Sequence, residues 1–430
     1  MLKSSGAMAG ATMSSRVLGM VREIVYANFM GNTWVASAFA LAFQVPNLFR
    51  RLLGEGALTA AFIPIFKHKE VAEGEQAMWH SANAVISGMI TSAGAITAAA
   101  TIGLSLWLAF GNPQPQTALM LGLLRLMFPY MVLVCLAAVL IAMANARGHF
   151  FVPALGSAIL NAVMIASVLL LAPRMGRTLE EQIFALAIGV VLAGLAQAFF
   201  QLPSLHREGY RYRWVSPWRD PTVREVVRKM LPGSIGVAAF QINVLVISCL
   251  SFWFEPTIVA TFSYSVRLME LPQGMFGVSL ATYLLPTLSG LASQKKYPEF
   301  RSTLSQGLSY LAFANLIASA VALSLAEPIV RLIFEHGKFG PEATSRVALA
   351  LVCLAPGLLM FSTNNILSRA FYALGDIKTP MKISLVCLAL NLGFALQFVQ
   401  PYREAGLAVA NTLSATVNVL LLAFALRRKL

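Results

Sequence analysis

Residues 45–64 read VPNLFRRLLGEGALTAAFIP, and residues 271–286 read LPQGMFGVSLATYLLP. The two stretches align on Pro46 and Pro272, which are 226 positions apart. A second match has almost the same offset, because RGHFFVP at 147–153 aligns with LGDIKTP at 374–380 and the prolines are 227 apart. Two independent matches at one offset indicate a duplicated unit. In a very apolar chain, a duplication predicts a transporter with its site between the halves.

The composition indicates a membrane protein. The 430 residues are 58% hydrophobic and 12% charged, with a mean hydropathy of +0.72, whereas soluble domains carry about 25% charged residues. The four cysteines lie in apolar runs and the five histidines are scattered, so no disulfide, metal site or cofactor is expected. No signal peptide is expected either, because Arg16 and Arg22 interrupt the apolar start of the chain.

Twelve stretches are long and apolar enough to span a bilayer, which takes about 20 residues. They are residues 6–29, 33–54, 80–110, 118–146, 153–173, 183–204, 230–253, 257–290, 303–325, 343–372, 380–400 and 405–426. Pro46 and Pro272 lie inside the second and eighth spans and predict kinks or breaks there. The predicted fold is an all-α membrane protein of about 12 transmembrane helices.

The duplication and the span count together predict the domain organisation. Because six is even, the two repeats share one orientation, as parallel repeats do. We expect two pseudo-symmetric six-helix lobes, at 1–204 and 230–430, joined by a basic cytoplasmic linker at 205–229. The side of the membrane that holds both termini carries 20 Lys and Arg, and the other side carries six. This bias predicts cytoplasmic termini. The net charge of +14 then reflects topology and anionic-lipid contacts, and no nucleic acid partner is expected.

Six arginines lie inside predicted spans, where each costs about 2.5–3.5 kcal/mol at mid-helix on insertion scales. They are Arg16, Arg22, Arg50, Arg51, Arg125 and Arg267. Five of the six belong to the first, second and eighth spans. This clustering predicts one basic cavity for an anionic group such as phosphate, because the guanidinium group presents planar bidentate donors.

Local ion pairs are an alternative role for two of these arginines. Arg51 is four residues before Glu55, and Arg267 is three residues before Glu270. Both spacings bring side chains together on one helix face. The step at 54–56, Gly-Glu-Gly, favours a helix end over a direct ligand role.

The other arginines have different expected environments. Arg125 lies near the start of its predicted helix and is expected to snorkel to the interface. Arg16 and Arg22 are about 120° apart around an ideal helix, so they do not share one narrow face. One of them is therefore expected to face the partner bundle or the interface.

No enzyme motif is present in the sequence. There is no phosphate-binding glycine loop, no pair of aspartates and no nucleophile constellation. A membrane-embedded glycosyltransferase or phosphatase would need catalytic carboxylates or histidines in a motif. The seventh, eleventh and twelfth spans hold no carboxylate at mid-membrane, so a carboxylate-type site for a coupling cation is not supported.

Five motifs carry a resemblance to a known family. They are SRVLGMVRE at 15–23, FQVPNLFRR at 43–51, GEGA at 54–57, RLMELPQG at 267–274 and GDIKTP at 375–380. The chain resembles the bacterial lipid II flippase family (MurJ/MviN), of the multidrug/oligosaccharidyl-lipid/polysaccharide exporter superfamily. The resemblance implies two lobes in a V, alternating access, and export of undecaprenyl-linked peptidoglycan precursor across the inner membrane.

The resemblance also implies site residues and partners. By motif position, the cavity arginines are Arg16, Arg22, Arg50 and Arg267. The supporting residues are Arg51, Glu55, Glu270 and Asn47. The expected partners are lipid II and membrane lipids, and other cell-wall synthesis proteins are further candidates. The alternative function is export of other polyprenyl-linked oligosaccharides or of drugs, although a drug exporter would prefer cavity carboxylates.

The sequence departs from the family pattern at three points. Ser37 and Val266 stand where relatives often have an acidic residue, which puts any role of those carboxylates in doubt. Relatives typically have fourteen spans, and the last two are associated with a groove for the lipid tail. With twelve predicted spans, either the sequence is part of a longer chain or the tail is accommodated differently.

Overall fold

The structure, a computed structural model, describes residues 2–54, 57–218 and 220–430. It does not describe the side chains of 2–12, 53, 54, 57, 60 and 232–237. Within these ranges the chain forms helices and no β-strand. A lipid-facing backbone satisfies its N–H and C=O groups within each helix. The predicted all-α fold is confirmed.

Ten helices precede residue 255 and seven follow it in the described ranges. The first ten are α1 Leu2–Met30, α2 Trp34–Phe49, α3 Ala57–Glu73, α4 Glu75–Phe110, α5 Pro115–Met127, α6 Tyr130–Ala146, α7 Phe151–Ala166, α8 Leu179–Phe199, α9 Leu202–Arg207 and α10 Pro221–Phe254. The last seven are α11 Thr257–Pro272, α12 Ser279–Ser293, α13 Tyr297–Ser324, α14 Ala326–Phe334, α15 Pro341–Leu354, α16 Gly357–Ala373 and α17 Lys378–Lys429.

Each of the twelve predicted stretches lies on one helix or on two or three consecutive helical segments. Across the described residues, seven helical stretches are long and apolar enough to cross a membrane, or eight if the pair α15 and α16, bent by 47°, counts as one. The number is below twelve partly because α17 carries the last two predicted spans as one 52-residue helix, with a kink at Arg403 (φ 50°). In addition, α2 has only 16 residues.

The chain divides into two compact units. The first comprises Met1–Met30 and Trp34–Leu245, and the second comprises Gly31–Thr33 and Val246–Leu430. In the first, Phe62 and Phe66 of α3 are buried among side chains of α4 and α6. In the second, Phe300 and Phe371 are buried among side chains of α12, α16 and α17. Close van der Waals packing of this kind holds helices together where lipid removes the hydrophobic drive between them.

Each repeat carries a π-helical segment beside its signature proline. Pro46 of α2 precedes the segment Arg50–Gly54, and Pro272 of α11 precedes the segment Gln273–Val278. Proline has no N–H for the bond to residue i−4, and inserted π turns are a common way for a helix to absorb such a defect. The disruptions predicted at both prolines are therefore present in the structure.

The second aligned pair of motifs forms the same turn in both units. His149 N–H donates to Ala144 O at 2.9 Å, and Asp376 N–H donates to Phe371 O at 2.9 Å. Gly148 (φ 87°) and Gly375 (φ 76°) occupy the left-handed position that ends the preceding helix. Both are Schellman caps, in which glycine adopts positive φ without strain.

The same turn is tied to the end of the repeat by a contact between a basic and an acidic side chain, and the two residue types are exchanged between the units. In the first unit, His149 Nε2 lies 2.9 Å from Glu208 Oε1, just beyond α9. In the second, Lys429 Nζ donates to Asp376 Oδ2 at 2.6 Å. The basic residue is thus on the turn in one unit and on the last helix in the other. The two units therefore share the geometry of this contact, although the residue types at its two ends differ.

The Glu208 carboxylate forms hydrogen bonds with two basic side chains. His149 lies against one oxygen, and Arg147 donates from Nε to Oε2 at 2.9 Å. These two hydrogen bonds, that of His149 first, hold the pKa of Glu208 below its usual range. The ionised carboxylate therefore stabilises the fold above the ordinary carboxyl pKa, and this stabilisation is lost as the pH falls through the lowered pKa of the folded state.

We expect Glu208→Gln to lower the midpoint of thermal unfolding at pH 7 by a few degrees, because the charge-assisted bonds to His149 and Arg147 are weakened. The difference from wild type should shrink as the pH falls toward 3. Thermal unfolding of purified protein measures both effects. Glu225→Gln is the matched control, because the Glu225–Lys229 pair is exposed on one helix face and should contribute little. Equal shifts in both variants would contradict a specific role for the Glu208 pair.

The second unit also contains the turn Gly31–Thr33. Tyr264 Oη donates to Gly31 O at 3.2 Å, and Thr261 Oγ1 donates to Asn32 Oδ1 at 2.9 Å. The Tyr264 ring also packs against Phe334 of α14, with the ring centroids 5.1 Å apart. The turn is therefore held by hydrogen bonds from α11 whose tyrosine is itself fixed by aromatic packing.

Candidate substrate site

Arg22 of α1 is a candidate arginine whose side chain is largely enclosed. Its side chain is 13% exposed and forms an ion pair with Glu23. Nη1 donates to Asn161 Oδ1 at 3.0 Å, and the guanidinium carbon lies 5.6 Å from the centroid of the Tyr26 ring. A charge in this apolar setting is tolerated because a carboxylate, an amide and an aromatic face surround it.

Asn161 of α7 forms hydrogen bonds with the Arg22 side chain and with the backbone of α1, the helix that carries Arg22. Its side chain accepts from Arg22, and its Nδ2 donates to Ser15 O at 3.1 Å. The residue is only 7% exposed. One amide thus fixes both the α1–α7 packing and the guanidinium orientation. Asn161 was not among the predicted site residues, because a lone amide in the apolar run 154–166 is its only signal in the sequence.

Arg16 has a different environment on the same helix. Its side chain is exposed and makes no hydrogen bond or ion pair with any residue that the structure describes. Arg22, six residues later, is largely enclosed. The two arginines therefore point in different directions, as the angle of about 120° between them predicts.

Arg50 begins the first π-helical segment. Its Nε donates to Asn47 Oδ1 at 2.7 Å, one helical turn earlier, so the predicted supporting residue contacts the arginine. Arg51 is half-buried. Glu55 lies outside the described residues, so the pair Arg51–Glu55 stays a prediction.

Arg267 and Glu270 lie on α11 in the second unit. Arg267 Nη1 and Glu270 Oε2 are 2.7 Å apart, so the local pair exists. The side chains are 42% and 47% exposed, and an exposed pair of this kind contributes about 0–1 kcal/mol. A weak pair of this kind leaves the guanidinium able to exchange its partner for a stronger anion.

Arg125 is exposed in the last turn of α5, not near the start of a helix as the sequence analysis expected. The predicted fourth span is one apolar stretch, Pro115–Ala146, within which α5 ends at Met127 and α6 begins at Tyr130 after Pro129. Pro129 lacks the N–H that would continue the helical hydrogen bonds, while Phe128 and Pro129 both keep right-handed helical φ and ψ. Exposure agrees with the expectation that Arg125 reaches the interface.

The described side chains offer donors for an anion and no metal cluster. Among them, no group of three or more His, Cys, Asp or Glu could hold a metal ion. The candidate set is instead dominated by guanidinium groups, which bind phosphate and carboxylate bidentately.

Apolar helices in two units, with arginines inside the apolar stretches, define a multi-pass membrane transporter. Solved structures agree on the fold. This chain matches a structure described as lipid II flippase MurJ in its inward closed conformation, with a TM-score of 0.84, 23% identity, and coverage of 98% of this chain and 87% of that chain. It also matches an inward-facing multidrug resistance MATE family transporter, with a TM-score of 0.79, 15% identity and 98% of both chains covered.

The family model for lipid II flippase MurJ matches residues 26–430. The probable lipid II flippase MurJ of Vibrio cholerae serotype O1 is 33% identical, covering 98% of this chain and 82% of that protein. The lipid II flippase MurJ of Burkholderia cenocepacia is 32% identical, covering 98% and 83%. The chain belongs to the lipid II flippase MurJ family, which confirms the resemblance predicted from its motifs.

Proposed function

We propose that this chain exports lipid II, the undecaprenyl-pyrophosphate-linked muropeptide, across the bacterial inner membrane and that its arginines bind the anionic headgroup. The observation that carries the proposal is Arg22, a nearly enclosed guanidinium fixed by Asn161 inside an apolar helix pair. A charged side chain inside a membrane span raises the free energy of insertion, so its presence indicates a functional role. Family membership supplies the substrate class.

The arginines of the first unit differ in how firmly their side chains are held before the substrate binds. Arg16 is exposed and is the first to meet an incoming pyrophosphate. Arg22 is already oriented, and its partner Glu23 keeps the charge tolerable until the substrate arrives. Asn47 Oδ1 accepts a hydrogen bond from Arg50 Nε, which fixes the plane of that guanidinium group. Oriented donors lose little conformational freedom on binding, so more of each contact appears as affinity.

Arg267 has the same role by motif position, and Glu270 is the anion it exchanges for phosphate. In a site of low effective dielectric constant, arginine–phosphate contacts are stronger than in water. The polyprenyl tail stays in lipid while the headgroup crosses. Headgroup binding then favours the conformations that expose it to the periplasmic side, as any ligand favours the states that it binds better. No bond in the substrate is made or broken.

Rescue of growth tests this function. In cells depleted of their own lipid II flippase, expression of this chain should restore growth and cell shape, because export is the step that depletion removes. A chain that inserts and accumulates without restoring growth would contradict the proposed substrate. Rescue only of a strain lacking a different lipid-linked oligosaccharide exporter would favour the alternative substrate.

We also propose that both termini lie in the cytoplasm, on the basis of the 20-to-6 charge bias. In a variant whose four native cysteines are replaced, a cysteine at Arg211 or Gln294 should be protected from an impermeant thiol reagent added outside. A cysteine at Gln114 or Glu342 should be labelled. All four positions are exposed, so accessibility reports the side of the membrane. The opposite labelling pattern would reverse the orientation and exclude export.

A further inference from the structure

A groove of about 410 Å³ lies between the linker and the first turns of α10. The side chains that line it and carry the argument are Trp218, Val223, Arg224, Val227, Arg228 and Leu231. Residues 224, 227, 228 and 231 share one helix face, since they are three or four positions apart. The groove therefore has apolar walls with two guanidinium groups at its rim.

The wall formed by the linker is held in place by α4. Ser87 Oγ lies 3.2 Å from Tyr212 Oη and accepts from Val215 N–H at 3.3 Å. Pro217 packs over Gly88, where an added Cβ would lie 3.2 Å from the proline ring. Arg224 Nη2 also donates to Trp218 O at 3.3 Å, which joins the two walls. The groove is thus a built feature of the first unit.

The length of α10 places the groove at the depth of lipid headgroups. Its 34 residues extend about 50 Å, whereas the hydrocarbon core is about 30 Å thick. The charged residues of the helix end at Lys229 and the predicted span begins at residue 230, so the turns that carry Arg224 and Arg228 project beyond the hydrocarbon. Trp214 and Trp218 are 62% and 70% exposed, and tryptophan is enriched at membrane–water interfaces.

The charges around the groove favour an anion. Residues 207–229 contain seven Lys and Arg and three acidic residues. Two of the acids are engaged elsewhere, because Glu208 pairs with Arg147 and Glu225 pairs with Lys229. Arg228 makes no hydrogen bond or ion pair within the described residues. Arg228, together with the N–H groups of Arg224 that do not donate to Trp218 O, can therefore bind a ligand phosphate.

We propose that this groove binds an anionic diacyl phospholipid of the phosphatidylglycerol class. Arg224 and Arg228 hold its phosphate, and Trp218 packs against the glycerol region. One acyl chain follows Val227 and Leu231 toward the hydrocarbon. This site is separate from the substrate arginines, and it gives the protein a preference for anionic lipid at one position on its surface.

Trp218 is the reporter for the test. The purified chain is placed in nanodiscs containing phosphatidylglycerol or phosphatidylcholine with brominated acyl chains, which quench nearby tryptophan. Subtracting the signal of Trp218→Phe isolates this residue. We expect brominated phosphatidylglycerol to quench Trp218 at a mole fraction at least about fivefold lower than brominated phosphatidylcholine, since each basic residue near an anionic surface contributes about a factor of five.

The double variant Arg224→Gln/Arg228→Gln should remove this preference and keep the quenching by phosphatidylcholine. Arg211→Gln/Arg213→Gln is the matched control, because it removes the same charge from the same linker outside the groove, and it should keep the preference. Equal quenching by the two lipids in the wild type would overturn the proposal. Equal loss of preference in both double variants would also overturn it, because it would indicate diffuse surface attraction. Protection of Trp218 from both lipids and from aqueous quenchers would identify a protein segment as the occupant instead.

Discussion

Arg22→Ala should abolish rescue of flippase-depleted cells while the protein still inserts and accumulates. The substitution removes the donor that Asn161 orients and also removes the ion pair between Arg22 and Glu23. A hydrogen bond to a charged group contributes about 1.5–3 kcal/mol, so headgroup affinity should fall about 10- to 100-fold. Growth complementation together with membrane immunoblotting measures the effect.

The other three candidate arginines should behave in the same way. We expect Arg16→Ala, Arg50→Ala and Arg267→Ala to abolish rescue individually. Arg125→Ala is the matched control, because Arg125 is also an arginine of an apolar helix but is exposed in the last turn of α5. Normal growth with the four variants, or failure of the control alone, would show that the basic-site account is wrong.

Gly31→Ala should remove most of the folded protein. Gly31 has φ +57°, a conformation that costs a non-glycine residue about 1–2 kcal/mol. In addition, an added Cβ would overlap the carbonyl oxygen of Lys338 and lie 2.8 Å from its carbonyl carbon. A backbone group cannot move aside as a flexible side chain can. The turn that Tyr264 holds would therefore have to shift, and both the yield of monodisperse protein and the thermal midpoint should fall.

Gly103→Ala is the control for this substitution. Gly103 lies within α4, and an added Cβ there would meet no atom within 4 Å. Alanine is a better helix former than glycine by about 1 kcal/mol, so this variant should be at least as stable as the wild type. A Gly31→Ala protein that is as stable and as active as Gly103→Ala would refute the close contact at the turn.

Local patterns in the sequence were sufficient to predict much of the fold. The prolines at 46 and 272 mark the π-helical segments because a missing N–H has its effect within one or two turns. The family motifs named Asn47 as a supporting residue, and the structure places it against Arg50; the three-residue spacing predicted the pair of Arg267 and Glu270. Interactions of this range depend on helix geometry alone.

Contacts between distant segments could not be predicted in this way. Asn161 meets Arg22 across 139 positions, and an isolated amide in an apolar run does not reveal which helix it faces. The equivalent side-chain contacts of the two turns were also missed. Their partners are 59 and 53 positions apart, and the exchange of basic and acidic residues hides the equivalence from a comparison of residue types.

Direct detection of exported lipid II tests the central claim best. Cells depleted of their own flippase and expressing this chain are treated with an externally added, impermeant enzyme that cleaves lipid II at its pyrophosphate linkage. The wild-type chain should restore cleavage, because lipid II reaches the outer face. The Arg22→Ala chain, at equal abundance, should leave the lipid II pool intact inside the cell. Equal cleavage with both chains, or no cleavage with the wild type, would contradict arginine-dependent export of lipid II.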